Sequence, residues 1–320
     1  MPAMRAATMS RRVAPHLHLM KRAGAVAAGA LVVSAAVMTP TAAAGPPAPS
    51  VHTFQVTLVD GSRPTDGTAS APGQASRTLI TTITYPVGIR HPMPVIVLAH
   101  GYGGNPDKFV QLMGAWAAAG YVVAAPVFPL TSNLAPGSDT PGDVRNQPAD
   151  VSFVIDEILK MGRPRSGGPL AGLIDRRHIG AAGLSLGGST VYGLLFDSCC
   201  HDARVHAAVL MSALPFPFTD GKATWRHVPT LMVHSDADTK WYGVSQETYP
   251  LLATPKWFVT LHGSPHSAPF EDTPDPADDV VRTITIAFWD RYLKGQDAAQ
   301  TRIVNAVSAY GQADLTRDLR

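Results

Sequence analysis

A chain of 320 residues that is 45% hydrophobic and only 16% charged is too apolar to stay disordered. Its 28 glycines and 28 prolines follow no fixed period, which excludes a collagen-like rod. The formal charge of +2 sits at one end: residues 1–44 hold Arg5, Arg11, Arg12, Lys21 and Arg22 and no acid, leaving 21 basic against 24 acidic residues, a net of −3, over the other 276. A weakly acidic body without a basic stripe argues against a nucleic-acid partner.

Residues 1–44 have the pattern of an export signal. Lys21-Arg22 precede the apolar stretch Ala23–Met38, and Ala42-Ala43-Ala44 offer a small-residue cleavage site before Gly45. That stretch is shorter and richer in Ala than the ~20 strongly apolar residues of a spanning helix. The expectation is a removed signal, no stable membrane insertion, and a mature protein secreted to an extracellular or periplasm-like compartment. Arg11-Arg12 leave both the general and the twin-arginine export routes open. Gly45–Ser50 reads as a stiff Pro-rich leader, and residues 51–320 as a single domain.

In that domain β-rich runs alternate with helical ones. Val51–Val59 and Thr78–Tyr85 predict two strands around a Gly/Pro/Ser-rich turn. The continuous apolar run Val95–Ala99 predicts a strand covered on both faces. Asn105-Pro106 supplies a cap and a first-turn proline for a helix running to Ala119 and stopping at Gly120. Tyr121–Ala125 is the next buried strand, and Pro148–Met161 an amphipathic helix. His178–Leu184, Val205–Met211, Thr230–His234 and Trp257–Leu261 continue as strands; Gly187–Phe196 and Val280–Leu293 continue as helices. Residues 295–320 are ambiguous between a short helix and a strand. The alternation implies an α/β protein with a mostly parallel sheet and helices on both faces. Functional groups in such sheets gather outside the carboxyl ends of the strands.

The only cysteines, Cys199 and Cys200, are neighbours. They form either a vicinal disulfide or a reduced pair, and they exclude a multi-bridge framework. Two adjacent thiols cannot supply a tetrahedral zinc site by themselves. Glu271, Asp272, Asp275, Asp278 and Asp279 lack calcium-loop spacing and precede a helix whose dipole they complement. No metal is expected, and the absence of phosphate-loop and dinucleotide fingerprints implies no cofactor.

The chemistry-bearing segment is Gly183-Leu184-Ser185-Leu186-Gly187, a Gly-x-Ser-x-Gly run between a strand and a helix. A sharp strand-to-helix turn exposes the central side chain, and the flanking glycines let the backbone crowd together. A serine hydroxyl needs a base, itself oriented by an acid, and at such a turn they follow in the order Ser, acid, His. After the Thr230–His234 strand come Asp236 and Asp238; Asp238, deeper in the loop, is the chosen acid and Asp236 the reserve. After Trp257–Leu261 come His262 and His266. His266 is the chosen base, because Gly263 frees its loop to turn toward Ser185. The oxyanion donors are expected to be the backbone N–H groups of Leu186 and of Tyr102, in the Gly-rich loop His100–Gly104.

The set His100-Gly101-Tyr102, Gly183-Leu184-Ser185-Leu186-Gly187, Asp238-Thr239 and Gly263-Ser264-Pro265-His266 resembles the α/β-hydrolase superfamily, over about Thr78 to Leu293. Within it the chain is similar to dienelactone-hydrolase-like proteins, platelet-activating-factor acetylhydrolases and cutinase-like polyester hydrolases. The resemblance supports Asp238 and His266, and implies that Phe216, after Pro215, contacts substrate. The chain departs from the cutinase-like pattern in having Leu184-Ser185-Leu186 for His-Ser-Met and no C-terminal disulfide. It departs from dienelactone hydrolases in having Ser185 for Cys. The expected activity is a serine carboxylic-ester hydrolase, working as a monomer through an acyl-enzyme on small-molecule or polymeric esters. Amide or peptide cleavage by the same triad, and a catalytically silent binding protein on this fold, are the alternatives. The 18-residue excursion Ser212–Pro229 is too short for a full lid, so an open apolar groove is expected, suited to short-to-medium acyl groups.

Overall fold

The computed structural model describes residues 49–69, 71–135, 140–218 and 221–320; the expected export signal, 1–44, and most of the leader lie outside them. No helix among the described residues is long and apolar enough to cross a membrane. These residues build one sheet from β1 (Val51–Asp60), β2 (Arg77–Pro86), β3 (Met93–Ala99), β4 (Val122–Pro126), β5 (Ile174–Leu184), β6 (Val205–Met211), β7 (Thr230–Ser235), β8 (Lys256–Leu261) and β9 (Ala313–Asp318). The spatial order is β1-β2-β4-β3-β5-β6-β7-β8-β9. The five strands that follow β4 in that order, through β8, pair in parallel with β4 and with one another. The antiparallel pairs β1–β2, β2–β4 and β8–β9 form the flanks.

The helices are α1 (Val110–Ala118), α2 (Gln147–Met161), α3 (Leu186–Phe196), α4 (Tyr242–Thr248), α5 (Asp278–Leu293) and α6 (Ala299–Tyr310). Alternation along β3 shows why both faces need cover. Val95, Val97 and Ala99 join a core with Val151, Ile155 and Ile158 of α2, whereas Ile96 and Leu98 join one with Leu112 and Trp116 of α1 and Phe288 and Trp289 of α5. Each fully buried aliphatic side chain contributes ~1.5–3 kcal/mol. Since β4 and β5 lie on opposite sides of β3, the order of the strands reverses there. The crevice for a functional site lies outside the carboxyl ends of β3 and β5.

Several elements differ from their sequence-based limits. The first turn after Asn105 is a 3-10 segment, Pro106–Phe109, and α1 begins only at Val110. Asn105 accepts the Asp107 N–H at 2.7 Å, and Asp272, distant in sequence, accepts the N–H groups of Val110 and Gln111 at 2.9 and 3.0 Å. Residues 295–320 contain both a helix and a strand, separated by Gly311 in the left-handed conformation that ends α6. Helix α4 has no counterpart in the sequence reading; it is short and carries no clear apolar period. Cys199 and Cys200 are joined as a vicinal disulfide.

Two buried charged hubs tie the layers together. Arg77 of β2, 1% exposed, makes paired hydrogen bonds to Asp150 of α2 (2.7 and 2.6 Å) and to Asp143 in the 3-10 segment before it (3.1 and 2.9 Å). Asp290 of α5 accepts from Tyr121, Lys294 and Arg302 at 2.7, 2.9 and 2.5 Å, linking the start of β4 with α5 and α6. Removing one partner of such a set strands a charge in the interior. Arg77→Met should therefore destabilise the protein by about 3–5 kcal/mol, read as a lower urea midpoint at unchanged slope.

Candidate active site

Ser185 stands between β5 and α3 with φ 53° and ψ −115°, outside the basins that non-glycine residues favour. Such a backbone costs ~1–3 kcal/mol and persists only where its surroundings fix it. They do so here. The Ser185 N–H donates to the Met211 carbonyl at 2.9 Å, and its own carbonyl accepts the Ser189 N–H at 3.1 Å. A Cβ at position 183 would lie 2.2 Å from the Gly187 carbonyl oxygen, one at 187 would lie 2.1 Å from that of Ala99, and one at 188 would lie 2.2 Å from the side-chain methyl of Ala213. Only glycine fits at these three places, and their close approach turns the chain sharply enough to put Ser185 at the apex.

The loop after β3 packs directly on this elbow. A Cβ at Gly101 would meet the Ser185 Cβ at 3.5 Å, an ordinary contact. Tyr102 lies next in this loop and is half exposed, while Leu186 is the first residue of α3. The first N–H groups of a helix have no partner within it, so the Leu186 N–H is suited to meet developing negative charge. His100 fixes the loop from below. It is 2% exposed, its Nδ1 is 2.7 Å from the Gly101 carbonyl, and its Nε2 accepts the Phe128 N–H at 3.1 Å. A second brace runs through three side chains that are each fully buried. Thr190 of α3 donates to Gln147 Oε1, Gln147 Nε2 donates to Thr131 Oγ1 at 2.6 Å, and the Thr131 carbonyl accepts the Gly103 N–H at 2.8 Å. This line connects the helix behind Ser185 to the loop carrying Tyr102.

The two acids and two histidines sort into separate pairs. His266 Nδ1 hydrogen-bonds Asp238 Oδ2, leaving Nε2 as the nitrogen able to exchange a proton with a hydroxyl. His262 instead pairs with Asp236 at 2.7 Å, on the surface beside β9. Burial pushes the Asp238 pKa up, but hydrogen bonds from His234 and His266 outweigh it and hold the carboxyl below its ordinary range. The Asp236 carboxyl is also held low, first by its bond to His262, and that bond in turn raises His262. The Ser212 hydroxyl donates to the His266 carbonyl at 2.8 Å. Ser185 and His266 thus hang from consecutive residues, Met211 and Ser212, at the end of β6.

Beside α3, Tyr192, Phe196, Phe216, Phe218 and Trp225 line a cavity of about 380 Å³. Phe216 is half-buried, with its ring 5.1 Å from that of Phe218. Donor atoms of His234, Asp238 and His266 lie within 4.8 Å of one another, as do those of Asp197, Cys199 and Cys200. The first trio satisfies itself as two N–H donors on one carboxylate. In the second, the disulfide leaves no thiolate to ligate a metal. Within the acidic cluster, Asp272 caps α1 and Asp275 accepts from Ser264 and the Ala277 N–H. His234, Ser212 and the Thr190–Gln147–Thr131 line escape sequence reasoning. His234 leaves a trace only in standing four residues before the acid.

No protein-family model matches the sequence, and no curated protein matches it. Among solved structures, a ferulic acid esterase from Streptomyces cinnamoneus superposes with a TM-score of 0.65 at 21% identity, over 86% of this chain and 98% of that one. The chain has an α/β-hydrolase fold, shared with that esterase.

Burial pushes the pKa of His100 down to about 4, so its ring is neutral in the folded protein where an unfolded histidine would already be charged. The unfolded chain takes up a proton below pH ~6.5 that the folded chain refuses until pH ~4, so stability is lost as pH falls through that window. The loss from this group should amount to about 3 kcal/mol. Melting temperatures of the parent and of His100→Gln between pH 7 and 4.5 check this. The variant, less stable at pH 7, should lose less on acidification.

Proposed function

We propose that the protein is a secreted serine carboxylic-ester hydrolase acting through an acyl-enzyme. What supports this reading is the strained Ser185 elbow at the head of α3, together with a strand-end loop in which His266 pairs with Asp238, the two tied to the consecutive residues Met211 and Ser212. His266 Nε2 takes the Ser185 proton as the Oγ adds to the ester carbonyl carbon, and Asp238 stabilises the imidazolium that forms. The N–H groups of Leu186 and Tyr102 receive the oxyanion. Collapse of the tetrahedral adduct breaks the bond to the alkoxy oxygen, which leaves as the alcohol with the proton from His266. Water then repeats the sequence on the acyl-enzyme, releasing the acid and restoring Ser185. Export of the mature chain rests on the pattern of residues 1–44.

Replacing Ser185 by Ala should lower turnover of a p-nitrophenyl ester by roughly 10³-fold or more without unfolding the protein. A fluorophosphonate probe should label Ser185 in the parent. Asp238→Asn should cost far more activity than Asp236→Asn, since only Asp238 meets His266. Retained turnover in the Ser185 variant would overturn the reading.

The substrate is proposed to be a short-to-medium acyl ester, small or polymeric, lying in an open groove with Phe216 on its apolar wall. A chain-length series measured below and above the substrate's aggregation point should show preference for short acyl groups and no jump in rate on aggregation. Phe216→Ala should raise KM for aromatic and longer acyl groups.

A further inference from the structure

The carboxylate of Asp238 serves two histidines through a single oxygen. Oδ2 meets His266 Nδ1 and, at 2.8 Å, His234 Nε2. His234 lies in β7, 1% exposed, and its Nδ1 is 2.7 Å from the Ser245 hydroxyl on α4. The proton positions follow from the donor inventory. An ionised carboxylate only accepts, so His234 Nε2 carries its hydrogen and donates. Burial lowers the His234 pKa despite the nearby carboxylate, so the ring is neutral and Nδ1 offers a lone pair. Ser245 must then donate to Nδ1. Its second contact, to the Ala213 carbonyl, is longer at 3.3 Å, and one hydroxyl proton cannot serve both. The hydrogen-bond direction is therefore set throughout, from Ser245 to His234 to Asp238, with His266 arriving from the other side.

We propose that His234 is a positioning residue for the acid–base pair: as a neutral N–H donor held by Ser245, it fixes the Asp238 oxygen on which His266 rests. This inference builds on the hydrolase reading of the site. Asp238 lies in a loop, where its backbone N–H closes a turn on the Ser235 carbonyl at 3.2 Å. The His234 bond locks the side-chain rotation that this turn leaves free. It also occupies part of the accepting capacity of Oδ2, so less of the negative charge acts on His266. Tyr242 and Glu271 are further polar and ionisable groups near the pair, and Ser212 donates to the His266 carbonyl. Tyr242 stacks edge-on against His234 at 5.9 Å with its hydroxyl bonded to Thr260, and the two imidazoles are 6.2 Å apart. Glu271, raised by burial, interacts with Lys108 and His266.

The test compares His234→Leu, which removes the donor, with His234→Gln, which keeps an N–H at similar reach. His234→Leu should lower kcat for a p-nitrophenyl ester by about tenfold with KM nearly unchanged. It should also move the acid limb of the kcat/KM profile to higher pH, because the full carboxylate charge then acts on His266. His234→Gln should restore most of the rate and the original profile. The His266 titration, followed by NMR in the resting protein, should shift in the same direction in His234→Leu and needs no substrate. If His234→Leu, folded by circular dichroism, keeps both the rate and the His266 titration of the parent, the proposal is overturned. Equal losses in the Leu and Gln variants with an unmoved titration overturn it too, leaving a packing role. A parent protein without ester turnover, but with the His266 titration shifted by His234→Leu, would retire the hydrolase reading while supporting the positioning role.

Discussion

A side-chain carbon at position 187 would sit 2.1 Å from the Ala99 carbonyl oxygen, and this near-collision governs the centre of the molecule. Because Gly187 has no such carbon, α3 can begin directly over the end of β3 instead of one helix diameter away. That approach brings the loop after β3 against Ser185 and makes the chain turn at an unfavourable φ. The cost of the turn is met by backbone hydrogen bonds to Met211 and from Ser189. Every other feature of the site is arranged around a position that these contacts have already set.

The surrounding polar groups stiffen the arrangement in two separate systems. On one side, His100 and the Thr190–Gln147–Thr131 line hold the Gly-rich loop against α3, the helix that follows Ser185. On the other, Ser212 and the shared carboxylate of Asp238 hold the histidine loop. Both systems are closed by hydrogen bonds whose donors and acceptors are matched. Buried networks of this kind favour one conformation strongly, because any alternative leaves a polar group unpaired away from water.

The sheet and the elbow were legible in the sequence because each has a local signature. Continuous apolar runs such as Val95–Ala99 mark strands with two covered faces, and Gly183, Gly187 and Gly188 announce a crowded turn. Asp238 and His266 were readable from their order and place after strands, and the geometry pairs them while sending Asp236 to His262. The residues that brace the site were not readable. Gln147, Thr131 and Thr190 come from three separate segments, and only folding brings them together. His234 resembles any other residue in a buried strand until α4, itself unforeseen, supplies Ser245. The late start of α1 has the same cause, since the cap at Val110 and Gln111 comes from Asp272, over 160 positions away.

The excursion after β6 is suspended from α3 and the turn beyond it. Ser189 donates to the Leu214 carbonyl at 2.7 Å, the Thr224 N–H to the Phe196 carbonyl at 2.6 Å, and the Ser198 N–H to the Lys222 carbonyl at 3.0 Å. The aromatic residues Phe216 and Phe218 therefore fall between two anchored positions, and neither anchor uses an atom that bonds to Ser185, Asp238 or His266. In engineering terms this stretch is a cassette. Its aromatic content can be exchanged to reshape the cavity beside α3 while the strained elbow and the paired histidines stay in place.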